Sequence, residues 1–353
     1  MDDWKRFACS ILVLVLSGIG VVFALNYVVD PYDMNGKFQL GLDKEGISQP
    51  MNYRLFSLAR FSRDPKVKII FGDSRALGLR EDYFQAAGAD NWRNMGIGGG
   101  TLYEEIESFY FALSKVGLKR AVFVIPFNLY NDNQRHDEVP DSINVVQNPG
   151  KYYINGFVAR VSLLILYSKI SGRRLEIGKP TMSKDEFWDY QLGPNMTGNF
   201  YSQWSYPRDL LNKLTEAKEV CDKRGIEMTI VLPPTHVDLQ GKTKDYGLEK
   251  AYSEYKKNLS CIANVIDFDF PNDLTRNRDL FIDPYHSTPP VGKLIVSQIL
   301  GRDSSYGRRY SCRRGTLLSG GVPLPVHKNV TDRVGDCAAT LTAMRPRPPV
   351  RKN

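Results

Sequence analysis

The stretch KVKIIFGDSRALGLR, residues 66–80, joins an apolar, β-branched run to a glycine, an acid and a serine. The continuous run VKIIF is typical of a strand buried on both faces of a parallel sheet. The residues after Ser74 follow a helical pattern. The stretch therefore predicts a strand and then a helix, with Ser74 at the junction. A serine there is either a helix cap, as Asp73 also could be, or a nucleophile beside a helix N-terminus that stabilises an oxyanion.

The same alternation recurs along the chain. Further strands are predicted at NWRNMG, RAVFVIPF, EMTIVLPP and VIDF, with helical segments between them. Five strands alternating with helices predict a mainly parallel sheet covered on both faces, with ligands at the carboxyl ends of the strands. Residues 131–205 interrupt this rhythm with polar loops, an apolar helical run and an aromatic-rich stretch, and we interpret them as an insertion.

The N-terminus has the composition of a membrane anchor. Residues 7–25 carry no charge, which is about the length a helix needs to cross a bilayer. Lys5 and Arg6 precede the run while Asp30 and Asp33 follow it, so the positive-inside rule places the start in the cytoplasm and the rest outside. A cleavable signal peptide ending near Ala24 is the alternative. We expect a cytoplasmic start (1–6), an uncleaved anchor (7–29), a lead-in with one helix (30–63) and an α/β domain (64–301).

Residues 302–353 account for the basic charge of the chain. They contain eleven Lys or Arg and three acids, which equals the net charge of +8, so the rest is close to neutral. A basic surface for nucleic acid is therefore not indicated. The segment lacks apolar periodicity and is rich in Arg, Gly and Pro, so we predict a disordered tail.

The five cysteines show no metal-ligand spacing. Cys221 and Cys261 lie in the body of the chain and either pair or remain buried free thiols. The acidic stretch DFDFPND lacks the glycine and terminal glutamate of a calcium-binding loop, so Asp267, Asp269 and Asp273 are expected to be solvated and no metal site is predicted.

Three further elements can support a serine nucleophile. His286 follows Asp283 in FIDPYHST, and the acid of such a D-x-x-H turn can orient the imidazole as a base. The glycines of NMGIGGGT let a backbone N–H approach a substrate oxygen, and Asn128 follows the next strand. Each has a plainer alternative, because Asp283 and Asn128 are also common turn residues.

Taken in order, these elements resemble the four sequence blocks of the SGNH (GDSL-like) hydrolase superfamily. Ser74 matches the nucleophile of the first block, and Gly99 the glycine of the second, on an N-x-x-I-x-G-x-T pattern. Asn128 matches the third block, with Asn131 as a substitute, and Asp283 with His286 match the last. The resemblance covers about residues 66–300. It implies a three-layer α/β/α, flavodoxin-like fold and an oxyanion hole formed by Ser74, Gly99 and Asn128.

Two positions depart from the family pattern. Arg75 replaces the leucine of G-D-S-L, and the segment around Asn128 lacks the glycine of G-x-N-D. Arg75 is therefore a candidate for binding an acidic sugar or phosphate, with a structural salt bridge as the alternative. His236, at the end of VLPPTH, is a candidate substrate contact or a structural histidine.

The single anchor, the insertion and the G-D-S-R sequence resemble membrane-anchored proteins of bacterial polysaccharide O-acetylation and of teichoic acid D-alanyl transfer. This resemblance implies an extracytoplasmic, periplasmic acyltransferase or esterase that acts on a cell-envelope glycan beside a multi-spanning membrane acyltransferase. The expected chemistry needs no cofactor. The alternative is a catalytically inactive protein of the same fold that binds glycan or a membrane partner.

Overall fold

The structure, a computed structural model, describes residues 3–38, 40–178, 181–303 and 305–310. These residues form two compact units. The first comprises Met1–Val124 and Arg135–Asp189, and the second Ile125–Gln134 and Tyr190–Asn353, each as far as it is described. The predicted insertion is therefore divided between the two units.

The described residues contain fifteen α-helices. They are α1 (Asp3–Val29), α2 (Glu45–Met51), α3 (Tyr53–Arg63), α4 (Glu81–Ala86), α5 (Leu102–Lys115), α6 (Val139–Gln147), α7 (Pro149–Tyr153), α8 (Gly156–Ser171), α9 (Lys184–Leu192), α10 (Pro194–Tyr201), α11 (Arg208–Arg224), α12 (Val237–Asp245), α13 (Glu249–Ile262), α14 (Asp273–Arg276) and α15 (Pro289–Ile299).

Eight strands and three short 3₁₀ turns complete the regular structure of the described chain. The strands are β1 (Lys68–Gly72), β2 (Trp92–Asn94), β3 (Arg120–Val124), β4 (Glu227–Leu232), β5 (Asn264–Asp267), β6 (Phe281–Asp283), β7 (His286–Ser287) and β8 (Arg308–Tyr310), and the 3₁₀ turns are Ala76–Gly78, Phe127–Leu129 and Arg278–Leu280. The five strands predicted from the sequence are confirmed as β1 to β5.

In the first unit β1 pairs in parallel with both β2 and β3, and Ile69 lies opposite Arg93 on one side and Ala121 on the other. Ile69, Ile70 and Phe71 have no exposed surface. The continuous apolar run is thus explained by a strand that is covered on both faces. The lead-in helix α3 buries Leu58 and Phe61 completely, and α5 packs against β1.

In the second unit β4 and β5 pair in parallel, with Ile230 opposite Val265. β8 adds to β5 in the antiparallel sense, with Val265 opposite Tyr310. The prediction of disorder from residue 302 onward is therefore wrong for Arg308–Tyr310, and residues 311–353 of that prediction lie outside the described residues. The Tyr310 hydroxyl adds a side-chain bond to this pairing, since it donates to Asp267 Oδ2 at 3.0 Å.

Helix α1 is long and apolar enough to cross a membrane, and it is the one such helix among the described residues. A signal sequence has the same properties. The helix continues into a tightly bonded turn, where the buried carboxylate of Asp30 accepts the N–H groups of Met34, Asn35 and Gly36 at 2.8–3.0 Å. The hydroxyl of Tyr152 donates to the same carboxylate at 3.0 Å.

The pairing of Cys221 with Cys261, one of two alternatives in the sequence, is wrong. Cys221 is a buried free thiol, and burial raises its pKa to about 11. Cys261 is disulfide-bonded, but not to Cys221. The positions of the cysteines along the chain could not decide between a disulfide and free thiols, because they do not show which cysteines the fold brings within bonding distance.

The predicted fold class is confirmed as mixed α/β, with mostly parallel strand pairing, helical layers and one N-terminal apolar helix. Both units place a candidate functional segment after the carboxyl end of a strand.

Candidate active site

Ser74 lies on a tight turn that follows β1. The turn is closed by a bond from the Ala76 N–H to the Asp73 carbonyl at 3.0 Å, and the Asp73 carboxylate accepts the Arg75 N–H at 3.0 Å. Asp73 thus closes the turn with both its backbone carbonyl and its carboxylate. Ser74 itself is half-buried.

The long helix predicted after Ser74 is wrong. The turn is followed by the single 3₁₀ turn Ala76–Gly78, and the six-residue helix α4 begins only at Glu81. The carboxamide of Asn94 on β2 explains the break, since it donates to the carbonyls of Ala76 and Leu79 at 2.6 and 2.9 Å and so competes with continued helix. No long helix dipole therefore acts at Ser74, and the N–H groups of the turn are the donors that remain to stabilise an oxyanion there.

Arg75 is held within the protein. Its side chain is 6% exposed and forms a fork on Asp73, with Nη2 to Oδ2 at 2.6 Å and Nε to the same oxygen at 3.0 Å. This geometry corresponds to the structural salt bridge that the sequence left as the alternative to substrate binding. Arg75 thereby fixes the acid that closes the turn of Ser74.

The loop that carries Gly99 leaves the sheet next to the turn that carries Ser74. The Ile97 N–H donates to the Gly72 carbonyl at 2.9 Å, so the loops after β1 and β2 leave the strands side by side. Ser74 and Gly99 are each two residues beyond that bond. Gly99 has φ +67°, and a Cβ built on it would meet no atom within 4 Å. Its backbone is thus left-handed, a conformation that glycine adopts without strain, and there is free space in the direction of a Cβ.

The helix after this glycine turn starts with a complete capping box. The Thr101 hydroxyl accepts the Glu104 N–H, and the Glu104 carboxylate accepts the Thr101 N–H at 3.1 Å. Glu104 also takes a fork from Arg54, with Nε to Oε1 at 2.5 Å. The loop that carries Gly99 is therefore anchored at its far end by buried, charge-assisted bonds.

In the second unit Asp283 and His286 form the turn of a small hairpin. β6 and β7 pair in the antiparallel sense with Asp283 opposite His286. The Asp283 carboxylate accepts the N–H groups of Tyr285 and His286 at 2.8 and 3.1 Å, and its Oδ2 lies 2.8 Å from His286 Nδ1. Asp283 is 4% exposed. The acid thus orients the imidazole, as the D-x-x-H spacing predicted.

His236 bonds to the turn of the same hairpin. Its N–H donates to the Pro284 carbonyl at 3.0 Å, and its Nδ1 accepts the Asp238 N–H as the cap of α12. The side chain is 6% exposed and stands edge-on to Phe281. These contacts give His236 the structural role that the sequence left open beside a substrate contact.

The two asparagines of the third block differ in their contacts. The side chain of Asn131 has a structural role. Its Nδ2 donates to the Phe200 carbonyl at 2.8 Å, and its Oδ1 accepts the N–H groups of Asn133 and Ser205. Asn128 lies in the 3₁₀ turn Phe127–Leu129 and is 3% exposed. Asn131 is therefore a poor substitute, and Asn128 stays the candidate oxyanion donor.

Asp267 and Asp269 of DFDFPND are buried at the end of β5, not solvated as expected, whereas Asp273 is exposed as predicted. Asp267 and Asp269 are 3% and 2% exposed. Lys256 Nζ lies 2.9 Å from Asp267 Oδ2, and the Thr235 hydroxyl donates to Asp269. No group of three or more His, Cys, Asp or Glu that could hold a metal occurs in the described parts of the chain. These acids form a structural network, and the partner lysine, eleven residues away on α13, explains why sequence reasoning missed it.

Glu105 is a buried acid that the sequence did not single out. It lies on α5, is 1% exposed, and neither carboxylate oxygen has a hydrogen-bond partner. Burial raises the pKa of Glu105 well above its ordinary value, and the Asp73 charge raises it further while Arg75 opposes the shift. The protonated form is therefore favoured in the folded protein.

We expect Glu105→Gln to stabilise the protein at alkaline pH. A raised folded-state pKa contributes stability that is present at pH values below the ordinary pKa of 4.5 and is lost as the pH rises toward the folded pKa. The neutral amide does not undergo this loss. The gain in unfolding free energy should grow between about pH 5 and about pH 8, by about 1.4 kcal/mol for each unit of raised pKa, as measured by urea unfolding.

Glu104→Gln is the matched control for this prediction. Glu104 is fully buried but is paired with Arg54, so the same substitution should cost about 3 kcal/mol at every pH in the range. A Glu105→Gln variant that is less stable than wild type at the alkaline end would contradict a neutral Glu105.

We expect Gly72→Ala to disturb the nucleophile turn. A Cβ at this position would lie 2.6 Å from the Ala76 Cβ and 2.8 Å from the Val124 Cβ, so the end of β1 must shift. The expected cost is about 1–3 kcal/mol of stability, together with slower acylation of Ser74. Gly78→Ala is the control, because its Cβ would meet nothing within 4 Å. Equal behaviour of the two variants would show that the close approach at Gly72 is unimportant.

No family model matches the chain, and no curated protein matches it. Among solved structures, it is similar to a candidate acylhydrolase from Bacteroides fragilis, with 12% identity, a TM-score of 0.33, and coverage of 69% of this chain and 93% of that one. It is also similar to a GDSL-like lipase from Bacteroides thetaiotaomicron, with 10% identity, a TM-score of 0.31, and coverage of 69% and 95%. At these TM-scores the likeness assigns neither an activity nor a substrate to this chain.

Proposed function

We propose that this chain is a membrane-anchored serine acyl-transfer enzyme of the SGNH type, an O-acyltransferase or esterase acting on a cell-envelope glycan. The observation that carries the proposal is the pairing of the buried Asp283 carboxylate with His286 Nδ1 at 2.8 Å. A carboxylate that also accepts two backbone N–H groups is held in one orientation and holds the imidazole in turn. Purely structural turn aspartates do not need a histidine at this position.

The pairing defines the chemistry of the imidazole. With the Nδ1 proton donated to Asp283, the basic lone pair of the neutral ring is on Nε2. In the proposed first step this nitrogen takes the Ser74 hydroxyl proton while Ser74 Oγ bonds to the ester carbonyl carbon. The tetrahedral intermediate then collapses, the C–O bond to the leaving alcohol breaks, and that alcohol receives the proton from His286.

The negative charge of the intermediate is assigned to three donors. They are the N–H groups of Ser74 and Gly99 and the carboxamide of Asn128. The two backbone donors are supported by the adjacent loops after β1 and β2, which the Ile97–Gly72 bond holds together. Asn128 is assigned through the resemblance to the third sequence block and its buried position.

The acyl-enzyme on Ser74 is resolved by a second attack with the same proton transfers in reverse. The attacking group is water in an esterase and a sugar hydroxyl in a transferase. A cell-envelope polysaccharide is the proposed glycan, and a multi-spanning membrane acyltransferase is the proposed partner. Each step uses side chains and backbone N–H groups of this chain, with no cofactor assigned.

We place the enzyme in the inner (plasma) membrane, with a cytoplasmic N-terminus and the body of the chain in the periplasm. The apolar helix α1 and the basic residues before it support the anchor and its orientation. The disulfide at Cys261 supports an oxidising compartment.

A non-catalytic protein of the same fold, binding glycan or a membrane partner, is the second candidate. One observation favours it: Pro126 and Phe127 precede Asn128, where the resembled block has a glycine. A side chain in place of that glycine narrows the approach to the carboxamide.

A fluorophosphonate probe applied to the full-length protein in detergent distinguishes the two functions. An acylation-competent serine should be labelled, and peptide mapping should place the adduct on Ser74. Heat-denatured protein is the control for non-specific reaction. Folded protein that is not labelled, or is labelled elsewhere, would overturn the enzyme in favour of the binding protein.

A further inference from the structure

Helix α8 in the first unit exposes a row of large apolar side chains. Phe157, Leu163, Tyr167 and Ile170 are 38%, 57%, 49% and 85% exposed. The spacing of Leu163, Tyr167 and Ile170 places these three on one face of the helix, with Phe157 to one side of it, and the opposite face is buried. A helix that is already packed on one side therefore presents a second apolar face, which is unusual at a surface in contact with water.

The same helix is joined to the end of α1. The buried Asn26 donates to the carbonyls of Tyr153 and Asn155 at 2.9 and 3.1 Å, and it accepts a bond from the Ser162 hydroxyl at 3.1 Å. These bonds satisfy polar groups that precede α8 and fix the helix against the last turns of α1. The helix that carries the exposed row is thus fixed to the apolar helix that is long enough to cross a membrane.

An aromatic cluster lies where α1 meets α7, the short helix that precedes α8. The ring of Tyr153 lies 5.2 Å from Phe23 and 5.4 Å from Tyr27, and Phe38 stands edge-on to Tyr27 at 5.8 Å. Lys37 lies over the Tyr27 ring and bonds to its hydroxyl. Tyrosines with an apolar body and a polar tip are typical of the level where a bilayer meets water.

The charge around α8 fits the same surface. Residues 149–178 contain five basic residues and one acid, Glu176. The basic side chains belong to exposed residues, which are Lys151, Arg160, Lys169, Arg173 and Arg174. Basic residues beside an apolar helix face favour anionic phospholipid headgroups.

We propose that α8 lies in the membrane interface, with its exposed row inserted among the phospholipids of the leaflet that faces the body of the chain. The occupant is lipid because α8 is fixed to the end of α1, the aromatic cluster lies beside that end, and the flanking charge is basic. The proposal rests on α1 spanning the membrane, as in the proposed function. It adds a second, in-plane membrane contact that fixes the first unit, with Ser74, at the bilayer surface.

Depth-dependent fluorescence quenching tests this placement in the full-length protein. An environment-sensitive fluorescent amino acid replaces Ile170 in one sample, and the protein is reconstituted into phosphatidylethanolamine and phosphatidylglycerol vesicles. The quenching of fluorescence by phospholipids with nitroxide-labelled acyl chains is then compared with the quenching by iodide in the aqueous phase. At position 170 we expect quenching by the lipid nitroxide at least about three-fold greater than at the control position 82, because Asp82 is an exposed acid on α4 of the same unit.

A third label, at Leu14 of α1, distinguishes the membrane anchor of the proposed function from the in-plane contact of α8. Strong lipid quenching at position 14 with none above the control at position 170 would overturn the α8 assignment while leaving the anchor. Absence of lipid quenching at both positions would overturn the anchor and the α8 contact together. Protection of position 170 from both quenchers would assign the row to a second protein or copy and would also overturn the lipid assignment.

A double variant, Leu163→Gln with Ile170→Gln, gives an independent check with the label at Tyr167. Both substituted side chains are exposed, so folding should be retained. Lipid quenching at position 167 should fall at least about two-fold as apolar contact area is lost. Unchanged quenching would contradict insertion through this row.

Discussion

Ser74→Ala should lower the hydrolysis of an activated acyl ester by at least about 1,000-fold. The substitution removes the atom that bonds to the acyl carbon, while Asp73 continues to close the turn through the Arg75 N–H. Folding should therefore be preserved. The measurement is the steady-state rate with p-nitrophenyl acetate, together with thermal unfolding of both proteins.

Ser57→Ala is the matched control for this loss. Ser57 lies on α3 of the same unit, is 6% exposed, and its hydroxyl has no hydrogen-bond partner. Its removal should leave the rate within about two-fold of wild type. A Ser74→Ala protein that retains the wild-type rate would show that the esterase activity, if present, arises from another residue.

Asp283→Asn should lower kcat by about 1,000- to 10,000-fold with a small effect on KM. The amide keeps one oxygen for the N–H groups of Tyr285 and His286, so the hairpin can persist. The amide nitrogen, however, cannot accept a hydrogen bond from Nδ1–H. The imidazole therefore loses the preference for the tautomer in which Nε2 is basic. The split between kcat and KM identifies a positioning role that a purely structural aspartate would not show.

The control for this variant is Asp82→Asn, which removes a carboxylate from an exposed pair with Arg80. Its effect on the rate should be less than about two-fold. A loss of less than about ten-fold in Asp283→Asn would mean that Asp283 does not set the state of His286. His286→Ala should then still abolish activity if the histidine alone is the base.

Much of the fold could be predicted because its signals are local. The run Ile69–Phe71 predicted a buried strand, since a strand covered on both faces requires apolar residues without alternation. The D-x-x-H spacing predicted the Asp283–His286 contact, because three residues of a tight turn suffice to form it.

The errors occurred where a distant partner decides the local structure. The helix expected after Ser74 is broken by the carboxamide of Asn94, eighteen residues from Ala76. The acids Asp267 and Asp269 are buried because Lys256 and Thr235 reach them from other elements. β8 was missed because its pairing with β5 requires contacts about forty residues apart. Composition and periodicity describe neighbours along the chain and carry none of this information.

The bonded turn at Asp30 connects α1 rigidly to the rest of the first unit. The helix passes into the first unit through Asn26 and Asp30, whose side chains bond to the segment from Tyr152 to Asn155, with no free linker between them. If α1 spans the membrane as in the proposed function, the turn of Ser74 has a fixed height above the bilayer. In that proposal an acyl group has to reach Ser74 at this height, so the length of the glycan or carrier would select which substrates are modified.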